Sequence, residues 1–396
     1  MDPQFIELSE KAREDGKKFT KKRFIFNEVE RLSKGRVFVA LVGPRGVGKT
    51  VVLKQLMPSA SKSFYLPADS LNAADSLFLI AKELGEKGVK LLLIDEIHAV
   101  RSFQKELKRI YDSLDIQVVF TSSCSISLFD SAYDLSRRAR LVRMAPFSFR
   151  EYIWFKSGVR LPALSIEAML DLEKSRNFYS SCIPYEPDFE RYLKGANHPF
   201  AEGDEDSREL FRNILSAILS RDIFYSGNTT REDQNEMERI LSFMGKSPVE
   251  DINYSSISRN VGITKYKAES HLSMLEKAFV INRIFPRGSN VLKEPKALFS
   301  IPYRLLYRDY PDCIGALRED FFAGAFLSSG FGISYLKTTR GAKTPDFAVG
   351  GTVFEIGGKG KGLSQFKGTT YSRKLILTQP GMIDRFRRPL FFAGML

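Results

Sequence analysis

The stretch RVFVALVGPRGVGKT, Arg36 to Thr50, decides how the N-terminal part of this chain folds. Arg36–Val42 is β-branched and apolar, the pattern of a strand buried on both faces. Gly43, Pro44, Arg45, Gly46, Val47, Gly48, Lys49 and Thr50 then supply the full G-x-x-x-x-G-K-T spacing, and Val51 opens a helical pattern, VVLKQLM. Strand, glycine-rich loop and helix in that order wrap backbone N–H groups round a phosphate at a helix N-terminus. Lys49 is placed to reach β- and γ-phosphate oxygens and Thr50 to ligate Mg2+. The implied cofactors are ATP or ADP with Mg2+.

Two more buried strands follow. Lys90–Ile94 (KLLLI) ends in Asp95-Glu96, where Asp95 is placed to hold Mg2+ through water and Glu96 to polarise the attacking water. Ile116–Phe120 runs into Thr121-Ser122-Ser123, and Ser122 is the candidate for touching the γ-phosphate. Asp95-Glu96-Ile97-His98 also spells the DExH box of helicases. Such helicases need two tandem nucleotide folds, and nothing after residue 150 resembles a second one. His98 reads as a helix-start residue.

With 396 residues the chain exceeds one ordinary core, and 43% hydrophobic content with 32 Phe supplies two or three. Apolar runs such as Leu91–Ile94 are far too short to span a membrane, so a cytoplasmic protein without a membrane partner is expected. Met1–Phe5 carries no functional weight. Three Cys (Cys124, Cys182, Cys313) and three His, without metal-type spacing, argue against a zinc site and fit a reducing compartment. The net charge of +13 points to a polyanionic partner, DNA foremost, with plain solubility as the alternative.

The runs GPRGVGKT, FYLPADSL (Phe64–Leu71), LLLIDEIH, FTSS and SRRARLVRMAPFSFREY (Ser136–Tyr152) resemble the prokaryotic archaeal-type AAA+ ATPases. Many of these carry a C-terminal domain of restriction-endonuclease-like type. Pro146–Glu151 (PFSFRE) is distinctive of them. Tyr192–Gly195 before Pro199, Ser220–Ile223 (SRDI) and Lys296–Phe299 extend the resemblance over nearly the whole chain. It implies an α/β AAA+ nucleotide-binding domain with a parallel sheet over residues 1–148, then a helical lid and linker over 149–234. A winged helix over 235–302 and an α/β restriction-endonuclease-like domain over 303–396 follow. It also implies an arginine at the γ-phosphate, at the position of Arg138, acting in trans within a homo-oligomer or in cis; Arg137, Arg140 and Arg143 are rivals. The family's Gly-Gly-x-Pro turn is here Gly195 to Pro199, a departure that touches any nucleotide contact by the lid.

Glu236–Phe285 has the cadence of a helix-turn-helix: helices over Met237–Met244 and Ser255–Val261, a break at Gly262, and a third over Lys265–Lys277 capped by Thr264. Phe279–Phe285 and the loop Pro286–Val291 would form a wing. Lys265, Lys267 and His271 are candidate DNA contacts on the third helix. Internal packing or assembly is the other use of such a module.

Near the C-terminus, PDFAVGGTVFEIGGKGKG (Pro345–Gly362) reads as strands Asp346–Val349 and Val353–Ile356 turning at Gly350-Gly351. A helix over Cys313–Ser329, a strand over Gly332–Lys337 and a later one over Leu375–Thr378 complete the order of a PD-(D/E)xK nuclease core. Glu319, Asp346 and Glu355 match its acids, and Gln365 a glutamine often found in the next helix. Such a site needs two carboxylates for Mg2+ and a lysine two residues past the second. Gly357 stands in that place. Lys359 or Lys361 supplies the amine only if the glycine-rich backbone curls back. An active nuclease, a fold kept for binding and a plain core hairpin all remain open. Binding is the expectation, with Lys359 and Lys361 on phosphates in a basic tail. The expected function is Mg2+-dependent ATP hydrolysis coupled to DNA binding; the alternatives are an ATP-regulated DNA nuclease and a nucleotide switch that binds protein partners.

Overall fold

The computed structural model describes the chain except residues 1, 73, 124–134, 136, 202, 204–206, 224–228, 250–251, 289–293, 337–343 and 367–370. Cys124 and Lys367, most of the acidic turn at 202–206, part of the linker at 226–234 and the tip of the loop at 286–291 lie outside the described residues. The chain forms two compact units, residues 1–146 with Ile218–Thr229, and Phe147–Ala217 with Thr230–Leu396.

The first unit begins with α1 (Pro3–Lys18) and α2 (Phe26–Leu32). Asp2 caps α1 by accepting from Gln4 N (2.9 Å) and Phe5 is buried, so the first residues have a structural part. Then come β1 (Phe38–Val42), α3 (Lys49–Leu56), β2 (Ser63–Pro67), α4 (Leu77–Glu86), β3 (Leu91–Asp95), α5 (Phe103–Ser113), β4 (Gln117–Ser122) and β5 (Ala139–Arg143). The five strands are parallel, in the order β2-β3-β4-β1-β5. Val39 and Leu41 of β1, Leu93 of β3 and Val119 of β4 are fully buried with Val52 and Leu53 of α3, which is why these strands read as apolar runs rather than alternations. The loops after β1, β3 and β4 all leave from the same edge of the sheet, where open α/β folds place their ligands.

The second unit opens with α6 (Phe149–Ser157), α7 (Ile166–Leu170), α8 (Leu172–Cys182), α9 (Asp188–Arg191) and α10 (Arg208–Ala217). Residues 149–217, part of the stretch 149–234 expected as helical lid and linker, share the core of this second unit. Phe149, Phe189 and Tyr192 stack at ring-centroid distances of 4.9–6.0 Å on Phe321 and Phe391 from the C-terminal part of the chain. Next stand α11 (Arg231–Lys246), α12 (Tyr254–Val261) and α13 (Lys265–Lys277), followed by the antiparallel pair β6 (Ile281–Ile284) and β7 (Lys296–Phe299). The long helix α14 (Tyr310–Ser328) precedes β8 (Ile333–Tyr335), β9 (Phe347–Val349), β10 (Thr352–Gly357), β11 (Lys374–Thr378) and β12 (Arg387–Pro389). These strands form a sheet in the order β12-β11-β10-β9-β8, antiparallel from β8 to β10 and parallel from β10 to β12. Among the described residues no helix is long and apolar enough to cross a membrane.

One buried ion pair ties this unit together. Arg304 and Asp320 are 1% and 0% exposed; Arg304 bonds both carboxylate oxygens, and Oδ1 also accepts from Phe299 N of β7 (2.9 Å). Asp320→Ala leaves a guanidinium buried and unpaired, a loss of about 3–5 kcal/mol. Chemical denaturation of the full chain reads that loss, and an unchanged midpoint for the second unit would remove the pair from the account.

Candidate nucleotide site and a second carboxylate site

β1 delivers the glycine loop to the sheet edge. Gly46 (φ 78°) and Gly48 (φ 95°) lie in the left-handed region that glycine tolerates. A Cβ on Gly43 would lie 2.1 Å from the carbonyl oxygen of Met144, which follows β5, so only glycine fits there. Lys49, 5% exposed at the first position of α3, donates to the carbonyls of Gly43 (2.9 Å) and Pro44 (2.8 Å). Burial pushes its pKa down, and the carboxylates of Glu96 and Asp95 oppose that shift. Arg23, from the segment between α1 and α2, braces the loop by donating to Val47 O (2.5 Å) and Ala145 O (2.8 Å). Thr50 and Val51 follow in the first turn of α3, both half-buried.

Asp95 ends β3 and is 6% exposed. Its Oδ1 accepts from Thr121 Oγ1 (2.5 Å) and its Oδ2 from the Tyr65 hydroxyl (2.8 Å). Burial and then the Asp95 charge push the Tyr65 phenol up, so it stays a donor. One hydroxyl, Thr50, and one carboxylate anchored by two neutral hydroxyls make a donor set suited to a hard divalent cation. Glu96 has φ 52°, a left-handed conformation that costs a non-glycine residue free energy. Its Oε2 accepts from Ser123 N (3.2 Å) and lies 3.2 Å from His98 Nδ1. Burial opposes its charge, but the His98 contact and the Lys49 ammonium outweigh it and hold the carboxyl down at about 2. Ser122, fully buried, ends β4 beside β1, paired in register with Val42.

Arg138 stands elsewhere. Its carbonyl accepts from Phe38 N (2.8 Å) at the start of β1, whereas the glycine loop leaves the far end of that strand. Five strand residues separate the two edges, roughly 17 Å at the rise of a β-strand. The Arg138 guanidinium grips Asp112 instead (3.0 and 3.1 Å). The expected role of Arg138 on its own chain's γ-phosphate does not fit this topology, which leaves only the version in trans. Arg140 pairs in register with Val39, and Arg143 with Val42 at the loop edge.

A residue given no role on sequence enters the site. Asp222, 1% exposed at its side chain, accepts from Arg45 Nε (2.8 Å) and Nη2 (2.5 Å) and from Ser123 Oγ (3.2 Å), and its Oδ1 lies 3.8 Å from His98 Nε2. His98 thus stands between Glu96 and Asp222 rather than serving as a helix-start residue alone.

In the second unit, Glu355 of β10 is fully buried, and Asp346, just before β9, accepts from Ile356 N (2.8 Å). Burial first, then the Asp346 charge, raises the Glu355 carboxyl to about 7, with Lys361 partly offsetting both. Lys361 Nζ bonds Glu355 Oε1, while Oε2 has no hydrogen-bond partner among the described residues. The backbone does curl back: Lys361 N donates to Gly358 O (3.1 Å). A Cβ on Gly357 would lie 2.2 Å from Lys361 Cγ, so the lysine stem fills the space that a side chain would take. Burial works against the Lys361 charge, yet Glu355, Asp346 and, least, Glu319 of α14 together hold its pKa above the ordinary value. Lys359 is exposed, and Gln365 is half-buried in the turn Leu363–Phe366.

On α13 the expected DNA contacts divide. His271 is 3% exposed and is drawn in by Glu236 of α11 (2.6 Å), so it does not stand on the open face. Lys267 also reaches Glu236 (2.9 Å), and Lys265 reaches Glu294 (3.2 Å). Asp233, Glu236 and His271 bring one ligand atom each within 4.8 Å of one another, but Lys267 already supplies Glu236 with a counter-charge. Tyr266 is 82% exposed between the two lysines.

Residues 35–153 match the AAA domain family, and residues 199–300 match a domain of unknown function (DUF8612). An uncharacterized protein of Methanocaldococcus jannaschii is 27% identical over 341 residues, covering 77% of this chain and 71% of that protein. Among solved structures, the Pif1 helicase of Candida albicans is similar at 17% identity and TM-score 0.25, over 34% of this chain and 42% of that one. The RuvB Holliday junction branch migration motor of Thermotoga maritima is similar at 14% identity and TM-score 0.27, over 69% of this chain and 90% of that one. Superpositions this loose carry no argument. The domain match and the loop geometry do: the first unit contains a nucleotide-binding P-loop AAA domain of the AAA+ ATPase type.

Proposed function

We propose that this protein hydrolyses ATP with Mg2+ and that its nucleotide state controls DNA binding by the second unit. The observation that carries the first half is the gathering of Lys49, Asp95, Glu96 and the Thr121–Ser123 segment at one sheet edge beside the glycine loop. Thr50 and Asp95 would hold Mg2+, which draws negative charge from the phosphate oxygens when bound. Lys49 exchanges the carbonyls of Gly43 and Pro44 for phosphate oxygens. Glu96, ionised at neutral pH, accepts a proton from water as the water oxygen attacks the γ-phosphorus, and the bridging oxygen leaves with ADP. Ser122 lies at the strand end where the γ-phosphate would sit.

DNA binding is supported by the +13 charge and by three helices followed by an antiparallel pair, the order of a winged helix. Exposed Tyr266 with Lys265 and Lys267 forms the candidate contact on α13. Phosphate release with and without EDTA and duplex DNA tests both halves. DNA-stimulated turnover and salt-sensitive DNA affinity support the reading; DNA affinity indifferent to salt and nucleotide would overturn its second half.

A second reading, metal-dependent DNA cutting, is favoured by one observation over the binding-only expectation: Lys361 crosses Gly357 to reach Glu355. Asp346 and Glu355 would hold the metal, and a buried Glu355 oxygen without a hydrogen-bond partner among the described residues suits it. When bound, the metal would lower the pKa of water for attack on a phosphodiester. In the absence of nucleotide, Mn2+ raises the thermal midpoint of the wild-type chain by this reading, and Glu355→Ala abolishes that shift. Equal shifts in the two proteins would remove the metal from this site.

A further inference from the structure

We propose that Arg45 meets the γ-phosphate in cis and that Asp222 positions it there. The inference rests on the ATPase reading and deepens it. Arg138 is gripped by Asp112 at the opposite edge of the sheet and cannot serve its own chain's nucleotide. Arg45 is the third residue of the loop whose backbone wraps the phosphates. Its guanidinium is bonded to Asp222, which accepts from Ser123 Oγ, and the N–H of the same Ser123 holds Glu96, so the loop arginine and the proposed base are joined through one residue. From that loop position the arginine would face the oxygens on which charge accumulates as the β–γ bond breaks.

Asp222 gives that arginine a fixed plane. Two parallel bonds from Nε and Nη2 to one carboxylate hold a guanidinium in orientation as well as in place. Asp222 is itself anchored by Ser123 Oγ, next to the Ser123 N–H that holds Glu96. Base and arginine are thereby set by neighbouring atoms of one residue. Preorganisation of this kind lowers the barrier because no group must be reoriented during the reaction. Chain topology points the same way. The chain leaves the first unit after Pro146 and returns to it for Ile218–Thr229, the segment that carries Asp222.

Steady-state phosphate release by full-length Arg45→Ala, Arg45→Lys, Asp222→Asn and Asp222→Glu tests the inference, with circular dichroism confirming each fold. Arg45→Ala should lower kcat by about 10²–10³-fold with KM little changed. Arg45→Lys, which keeps the charge but not the two-point grip, should lose less and serves as the test should the alanine variant unfold. Asp222→Asn should lower kcat in the same direction, and Asp222→Glu should recover part of it. Each Arg45 variant is then mixed with Lys49→Ala, which cannot hold the phosphates but carries an intact Arg45. An arginine acting in cis gives no recovery on mixing. Recovery would overturn the inference in favour of action in trans, and so would a kcat equal to wild type in a folded Arg45→Ala. Wild-type protein that releases no phosphate would overturn the ATPase reading, and this inference with it.

Discussion

Glu96→Gln leaves ATP binding intact and lowers turnover by about 10²–10⁴-fold. The carboxylate is held ionised by His98 and Lys49 despite burial, so at neutral pH it is ready to accept a proton; an amide is not. Glutamine keeps the length of the side chain and an oxygen for the Ser123 N–H, which now fixes Glu96 Oε2. The left-handed backbone at this position is also retained. Loss of a negative charge beside the γ-phosphate leaves affinity unchanged or improves it. Fluorescent-nucleotide titration and phosphate release measured on the same preparation separate binding from chemistry. Turnover equal to wild type would take Glu96 out of the reaction.

The second large effect concerns the C-terminal cluster. If the second unit cuts DNA as the second reading proposes, Lys361→Ala should lower plasmid cutting with Mn2+ by about 10²-fold or more, because the amine that balances Asp346 and Glu355 is gone. Gly357→Ala acts through the same atom: the added Cβ needs the space now taken by Lys361 Cγ, so the lysine must move. A double change, Gly357→Lys with Lys361→Ala, returns an amine to the position two residues past Glu355 and recovers part of the lost cutting. That recovery separates a catalytic amine from a merely structural one. Cutting by Lys361→Ala at the wild-type rate, or no cutting by wild type with any divalent metal, would return the domain to a binding role.

The nucleotide half of the molecule is legible in the sequence because its signals are local. Strand, G-x-x-x-x-G-K-T and helix are contiguous, and the Asp95-Glu96 pair follows directly on its own strand. The helix Lys265–Lys277 has the expected ends because Gly262, with φ 75°, and the Thr264 cap fix its start. What is not legible depends on pairing across long separations. Arg45 and Asp222 are 177 residues apart, and no spacing rule joins them. Arg138 reads as a γ-phosphate arginine in trans or in cis until its place just before β5, beside Phe38, puts it at the edge away from its own glycine loop, which leaves the trans version. His271 falls on a polar helix face, but Glu236 from another helix draws it inward. Lys359 and Lys361 stay alternatives on sequence because the two-residue rule assumes an extended strand; the turn at Gly358 is what selects Lys361.

The most direct measurement is phosphate release from ATP by the full-length chain in Mg2+, set beside EDTA and Lys49→Ala. Expected is steady turnover by wild type that chelation abolishes and that Lys49→Ala loses together with ATP affinity. Wild-type release no faster than that of Lys49→Ala would contradict the account at its centre.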